Sequence, residues 1–178
     1  VQATTTPDTG RYSRPAVLLH WAMALVIALG YLAIEMRGPK GSESRVFWTG
    51  VHLWCGSLVL ALAVLRILWR LWRGAPPEIA AARVATFLAR LVHVALYVFI
   101  VAQPLLGILM LNTGGHPLVL PGVGVPVTLV GADPLARTVI HRTHVLVGNF
   151  FYFVIGLHAL AAIGHHVVFR DATLRRML

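Results

Sequence analysis

Nine histidines lie in a chain of 178 residues, and most of them fall inside or at the edges of long apolar runs. An imidazole in such a place is costly unless it has a task. It can ligate a metal, share a hydrogen bond or move a proton. His144 and His158 are fourteen residues apart in one run. At helical geometry they lie within about 40° of one face and roughly 21 Å apart along the axis. One helix face would then offer an imidazole at each of two levels. Paired with an imidazole from a facing helix, each level could hold a haem iron by two axial ligands. Iron held in this way has no open position, which favours electron transfer over oxygen binding.

The elements that would position these rings are four apolar runs, expected as helices at about 15–36, 46–72, 84–112 and 138–168. Each covers the roughly 20 residues needed to cross a bilayer. Apolar residues make up 58% of the chain and charged residues 12%, against about 25% charged in a soluble domain. The expected fold is all-α: one integral membrane domain over 1–178, an antiparallel four-helix bundle with two b-haems stacked across the bilayer. Two prolines in GAPPEIAAAR separate the second and third runs, and Pro104 marks a kink in the third. The outer loop at 113–137, rich in Gly and Pro, is long enough to cap one end of the bundle.

The net charge is +9, from fifteen Lys and Arg against six Asp and Glu. These charges gather at the ends of the apolar runs, so they set topology and meet headgroups. Nucleic acid is not an expected partner; the lipid bilayer is. Arg11, Arg14, Arg66, Arg70, Arg73, Arg83, Arg90, Arg170, Arg175 and Arg176 share one side, against Arg37, Lys40, Arg45, Arg137 and Arg142 on the other. The positive-inside rule then puts both termini in the cytoplasm. The polar start, VQATTTPDTGRYSR, has no apolar core ahead of the first run, so no cleavable signal is expected. A single cysteine, Cys55, excludes an internal disulfide or an all-thiolate iron–sulfur cluster made by this chain alone. It is expected as a small packing residue.

Depth selects the partners. The first and third helices start in the cytoplasm and the second and fourth start outside. His20 and His158 are therefore at the inner level, and His52 and His144 at the outer level. His93 is also at inner depth and competes with His20 for the inner iron. Gly56 and Gly148 each follow an outer histidine by four residues. Both are candidate gaps for close approach of a flat macrocycle, although small residues also let membrane helices pack. Arg66 follows His52 by fourteen and points into the bundle at the inner level, where a haem propionate would offset its burial. Arg70, one turn on, is expected to snorkel to headgroups. His165 follows His158 by seven on the same face. It is a candidate for a quinone oxygen or a proton relay. His116, His141 and His166 receive no role. Trp21, Trp48, Trp54, Trp69 and Trp72 fit interfacial belts.

These motifs, in order, resemble the bacterial cytochrome b561 family: YSRPAVLLHW, VHLWCG, VLRILWRL and HVLVGNFFYFVIGLHALAAIGHH. The resemblance runs from RYSRPAVLLHW to HHVVFRDATLRRM. It implies a membrane dihaem cytochrome of the bacterial inner membrane, with His20, His52, His144 and His158 as the ligands of two haem b (protohaem IX). It further implies an oxidoreductase that takes electrons from superoxide at the periplasmic face and reduces ubiquinone. The outer residues Lys40, Arg45, Arg137 and Arg142 would steer that small anion. Related cytochromes serve as quinone-linked subunits of hydrogenases and dehydrogenases, so a redox partner protein is the alternative. A haem-free channel or transporter would not need histidines at matched depths.

Overall fold

The computed structural model describes residues 10–74, 76–77 and 83–178. The polar segment before Gly10 and most of the connection after Gly74 lie outside the described residues. Four helices carry the fold: α1 (Arg14–Glu35), α2 (Glu43–Arg73), α3 (Arg83–Thr113) and α4 (Pro134–Val167). All four are long and apolar enough to cross a membrane. The protein is an all-α integral membrane four-helix bundle.

Local chemistry sets the helix ends. Pro15 stands in the first turn of α1, where its missing N–H is no loss. Ser42 caps α2 by accepting from the Arg45 amide at 3.2 Å, and Glu43 adds a negative charge to that turn. Gly74, at φ 73°, ends α2. Asp133 caps α4 by accepting from the Leu135 and Ala136 amides, both at 3.0 Å, with Pro134 as the first helical residue. This cap starts α4 at 134 rather than at 138. The connection ahead of it is correspondingly shorter than 113–137. α3 continues through Pro104.

Each helix packs on the next in sequence. α1 meets α4 through Tyr31 and Tyr152, whose rings stand 4.1 Å apart. The Tyr31 hydroxyl donates to the Gly148 carbonyl at 2.8 Å, and the Tyr152 hydroxyl to the Glu35 carboxylate at 2.9 Å. The core lies at mid-height: Met23, Val59, Ala63, Phe99, Ile100 and Phe151. Phe99 and Phe151 stack at 4.0 Å with planes 12° apart. Leu18, Leu25, Leu68, Phe153 and Leu160 are exposed on the outside, the surface that lipid covers.

Between α3 and α4 the chain forms a hairpin of β1 (Leu118–Val119) and β2 (Pro126–Val127), antiparallel, with Leu118 opposite Val127. Asn112, 2% exposed, holds it. Its amide nitrogen donates to the His116 and Val127 carbonyls at 3.1 and 3.3 Å, and its oxygen accepts from the Leu129 amide at 2.7 Å. The turn reaches α2, where Trp54 Nε1 donates to the Pro121 carbonyl at 3.1 Å. The hairpin therefore caps that end of the bundle. Residues 10–12 meet the C-terminal residues at the opposite end. There the Tyr12 amide donates to the Arg176 carbonyl, and the Arg176 guanidinium reaches the Gly10 and Pro77 carbonyls.

Candidate cofactor site

Residues at seven-residue steps stay on one helix face with a drift of about 20° per step. On α4 these are His144, Phe151, His158 and His165; on α2, His52, Val59 and Arg66; on α3, His93, Ile100 and Gly107. The bundle therefore has three layers. Apolar Val59, Ile100 and Phe151 form the middle one. Imidazoles occupy the layers above and below.

In the layer nearer the hairpin, the His52 and His144 rings stand 6.3 Å apart with planes at 89°. In the other, His20 and His158 stand 6.2 Å apart at 76°. Imidazole–metal bonds are about 2 Å long, so two axial rings on one ion have centroids roughly 6.3 Å apart. Both pairs fit that separation. His93 stands closer to His158, at 5.4 Å, and is exposed. Among the described residues no group of three or more His, Cys, Asp or Glu side chains could hold a bare metal ion. A two-imidazole site instead suits an ion that brings its own equatorial ligands, as a haem does.

Further features suit the hairpin-side pair to such a group. His52 Nδ1 lies 3.0 Å from the Gly30 carbonyl. A carbonyl can only accept, so Nδ1 carries the proton and Nε2 keeps its lone pair for a metal. Gly30 permits this contact, since a Cβ there would stand 3.3 Å from Cys55 Cβ. A cleft that opens to the surface lies beside the rings, lined by Gly30, Tyr31, His52, Gly56, Gln103 and His144 among others. A Cβ on Gly56 would meet nothing within 4 Å, so this glycine borders open room. Gly148 does not. A Cβ there would stand 3.0 Å from Gln103 Nε2, which makes it a helix-packing glycine. Gln103 donates to the His144 carbonyl at 2.8 Å. Among the described residues the Gln103 Oε1 and His144 Nδ1 atoms are buried without a hydrogen-bond partner, two polar atoms in an otherwise mostly apolar surround.

The other layer is richer in charge. Arg66 donates to the Tyr97 hydroxyl at 3.3 Å and to the Ala16 carbonyl at 3.4 Å. It is close enough to act electrostatically on His20, His93 and His158. Arg70 lies over the Tyr97 ring at 5.9 Å, so it rests on an aromatic face. His165 is at the end of α4, with Nδ1 2.5 Å from Asp171 Oδ2. Trp69 Nε1 donates to Ser13 Oγ and Trp21 Nε1 to the Met177 carbonyl, at 2.9 and 2.7 Å; both tie this end together.

Lys40, Arg45, Arg137 and Arg142 fall at the hairpin end but do not form one cluster of mutual contacts. Arg45 donates to the Gly38 carbonyl at 3.0 Å. Arg137 packs on Gly114, and Lys40 and Arg142 are exposed. Sequence reasoning passed over Asn112, Gln103, Tyr31 and Asp171. Asp133–Pro134 was a readable start signal for α4, while the partners of the others depend on the folded chain.

Residues 11–178 match the family model described as prokaryotic cytochrome b561. The chain is 34% identical over 169 residues to a protein of Yersinia pestis named probable superoxide oxidase CybB, covering 94% of this chain and 96% of that one. It is 33% identical over 172 residues to cytochrome b561 homolog 1 of Escherichia coli strain K12, covering 94% and 97%. Cytochrome b561 homolog 2 of the same organism is 29% identical over 181 residues, covering 98% and 94%. Four spanning helices and a match over nearly the whole chain agree: the protein belongs to the prokaryotic cytochrome b561 family.

Proposed function

We propose that this chain oxidises superoxide at the hairpin end of the bundle and reduces ubiquinone at the end that carries the termini. Family membership brings electron transfer with b-type haem in a bacterial membrane; the donor, the acceptor and the number of haems are the proposal. The observation that carries it is the matched pair of imidazole pairs, at 6.2 and 6.3 Å, on opposite sides of an apolar middle layer. A route for electrons across the bilayer needs carriers at two depths. The relative named probable superoxide oxidase supports the choice of donor.

In this reading His20 with His158, and His52 with His144, each hold one haem. Bound there, b-type haems would supply one-electron carriers. The rest falls to the protein. Gly30 fixes the tautomer of His52 through its carbonyl. Arg66 places a positive charge where a propionate would be neutralised. Lys40, Arg45, Arg137 and Arg142 give the hairpin end a positive potential, which raises the encounter rate of a small anion by roughly 10–10³. The excess of arginine at the other end supports a reading with both termini in the cytoplasm, in a single domain of the inner membrane. Superoxide then reacts on the periplasmic side, and quinone takes its protons from the cytoplasmic side.

Stopped-flow mixing of the purified protein with superoxide, followed by haem absorbance, tests this reading. Rapid reduction and then reoxidation by added quinone is expected. A dihaem spectrum that superoxide leaves unchanged would overturn the donor and make the chain a subunit for a partner dehydrogenase. A protein that binds no haem would overturn the site.

A further inference from the structure

We infer that His165 and Asp171 form the proton-delivering pair for quinone reduction, with Asp171 as the positioning residue. The inference rests on the proposed quinone site at the end of the bundle that carries the termini.

His165 lies one heptad beyond His158 on the same face of α4, roughly 10.5 Å further along the axis. Its Nδ1 meets Asp171 Oδ2 at 2.5 Å. The nitrogen left to face a ligand is therefore Nε2. The two side chains are 40% and 27% exposed, so water reaches the pair. The Phe169 ring packs beside the imidazole at 5.2 Å.

The backbone is bent to bring these groups together. After α4 ends, Arg170 takes φ 52°, the only positive φ at a non-glycine among the described residues. The left-handed region is unfavourable for a side chain of this kind. Here it turns the chain back under the helix. The Asp171 amide then donates to the His165 carbonyl at 3.1 Å, and the Thr173 amide to Asp171 Oδ1 at 2.8 Å. Each carboxylate oxygen has its own partner. Burial alone would raise the Asp171 pKa, but the bonds from His165 and Thr173 outweigh it and hold the carboxyl at about 2. Asp171 thus stays an anion. It orients the imidazole by accepting a hydrogen bond from Nδ1.

Four arginines at this end have partners of their own. The Arg175 guanidinium donates to the Arg170 and Asp171 carbonyls. Arg176 reaches Gly10 and Pro77, and Arg66 of α2 turns to Ala16 and Tyr97. Arg70 lies over Tyr97. His166, next on α4, and Arg14, at the start of α1, are exposed.

The chemistry balances. Two superoxide anions each lose one electron and leave as oxygen. Quinone gains those two electrons and two protons and becomes the quinol. At each protonation the His165 Nε2–H bond breaks as a quinone O–H bond forms. Nε2 then takes a proton from cytoplasmic water.

The test uses the full-length protein with its haem reduced beforehand. It compares the rate of reoxidation by a short-chain ubiquinone with the rate by ferricyanide, which takes an electron and no proton. The quinone-to-ferricyanide ratio is followed as a function of pH. The wild-type ratio is expected to fall as pH rises. Asp171→Asn lowers it roughly tenfold or more at neutral pH. Asp171→Glu recovers part of the loss, and His165→Gln makes the ratio low and flat. A wild-type ratio and profile in Asp171→Asn would overturn the inference alone. Equal slowing with both oxidants would also overturn it, by assigning Asp171 a structural role. A wild type that ferricyanide oxidises and quinone does not would overturn the quinone reading together with the inference.

Discussion

Gly56 offers a sharp test of whether the cleft beside His52 is a cofactor berth. An added Cβ at this position meets nothing within 4 Å. In a helix interior, Gly→Ala removes a destabilisation of about 0.5–1 kcal/mol. The haem-free Gly56→Ala protein is therefore expected to melt at or above the wild-type temperature. Haem binding should respond in the opposite direction. The cleft lies against both rings of the pair, so a macrocycle between them uses the room that the methyl group fills. Overpacking of this size costs about 1–3 kcal/mol, which is roughly 5- to 150-fold in affinity. Gly56→Leu, with three more carbons, should lose the hairpin-side haem altogether. The assay has two parts: haem stoichiometry per chain after purification with excess haem, and thermal unfolding of the haem-free protein. The expected result is half the wild-type haem for Gly56→Leu, with no loss of haem-free stability for Gly56→Ala. Full haem content and an unchanged spectrum in Gly56→Leu would refute the argument, because the cleft would then hold no cofactor.

The inner pair has a matching test: His158→Ala is expected to lose one haem while His93→Ala keeps both, as measured by haem stoichiometry, because His93 is 5.4 Å from His158 and exposed. Asn112→Ala removes three hydrogen bonds from a buried position and leaves polar groups unpaired at about 1–3 kcal/mol; amide exchange should speed up in the hairpin while the haem spectrum stays the same. Asp171 predicts an acid limb in stability. Its carboxyl is held at about 2, below the ordinary 3.8. The contribution is therefore fully present above the ordinary value and is lost as pH falls towards 2. Thermal melts of Asp171→Asn should lack that limb, and a limb as steep as the wild type's would refute the assignment.

The placement of the rings was legible because it depends on two quantities that a sequence contains: helix periodicity and distance from the membrane face. Those quantities bring His20 to His158 and His52 to His144. They also bring His93 to the same depth, and only lateral packing separates it from His20. Gly56 and Gly148 show where spacing stops being informative. Both follow a histidine by four residues, yet one borders a cleft and the other lies against Gln103 and gives its carbonyl to Tyr31. Their neighbours come from other helices, and no local pattern encodes them. Asp171 was invisible for a different reason. Its meeting with His165 depends on the left-handed backbone at Arg170, a conformation that an arginine does not announce.

In the proposed reading the two ends of the bundle meet different demands. At the hairpin end the rings lie beside a cleft with a mostly apolar lining, and a buried asparagine clips the hairpin in place. A donor that gives up one electron and no proton needs nothing more there than a positive surface and a short approach. The other end is held by side-chain bonds that cross the sequence: Trp21 to Met177, Trp69 to Ser13, and Arg176 to Gly10 and Pro77. These bonds tie this end together, and the partly exposed His165–Asp171 pair lies there at a water-accessible surface. An acceptor that collects two protons from the cytoplasm needs such a surface, whereas a simple electron relay would not. The sidedness can therefore be tested without any superoxide. In proteoliposomes, proton uptake on quinone reduction should come from the compartment facing the termini. Uptake from the compartment facing the hairpin would put the quinone site at the wrong end and reverse the proposed direction of flow.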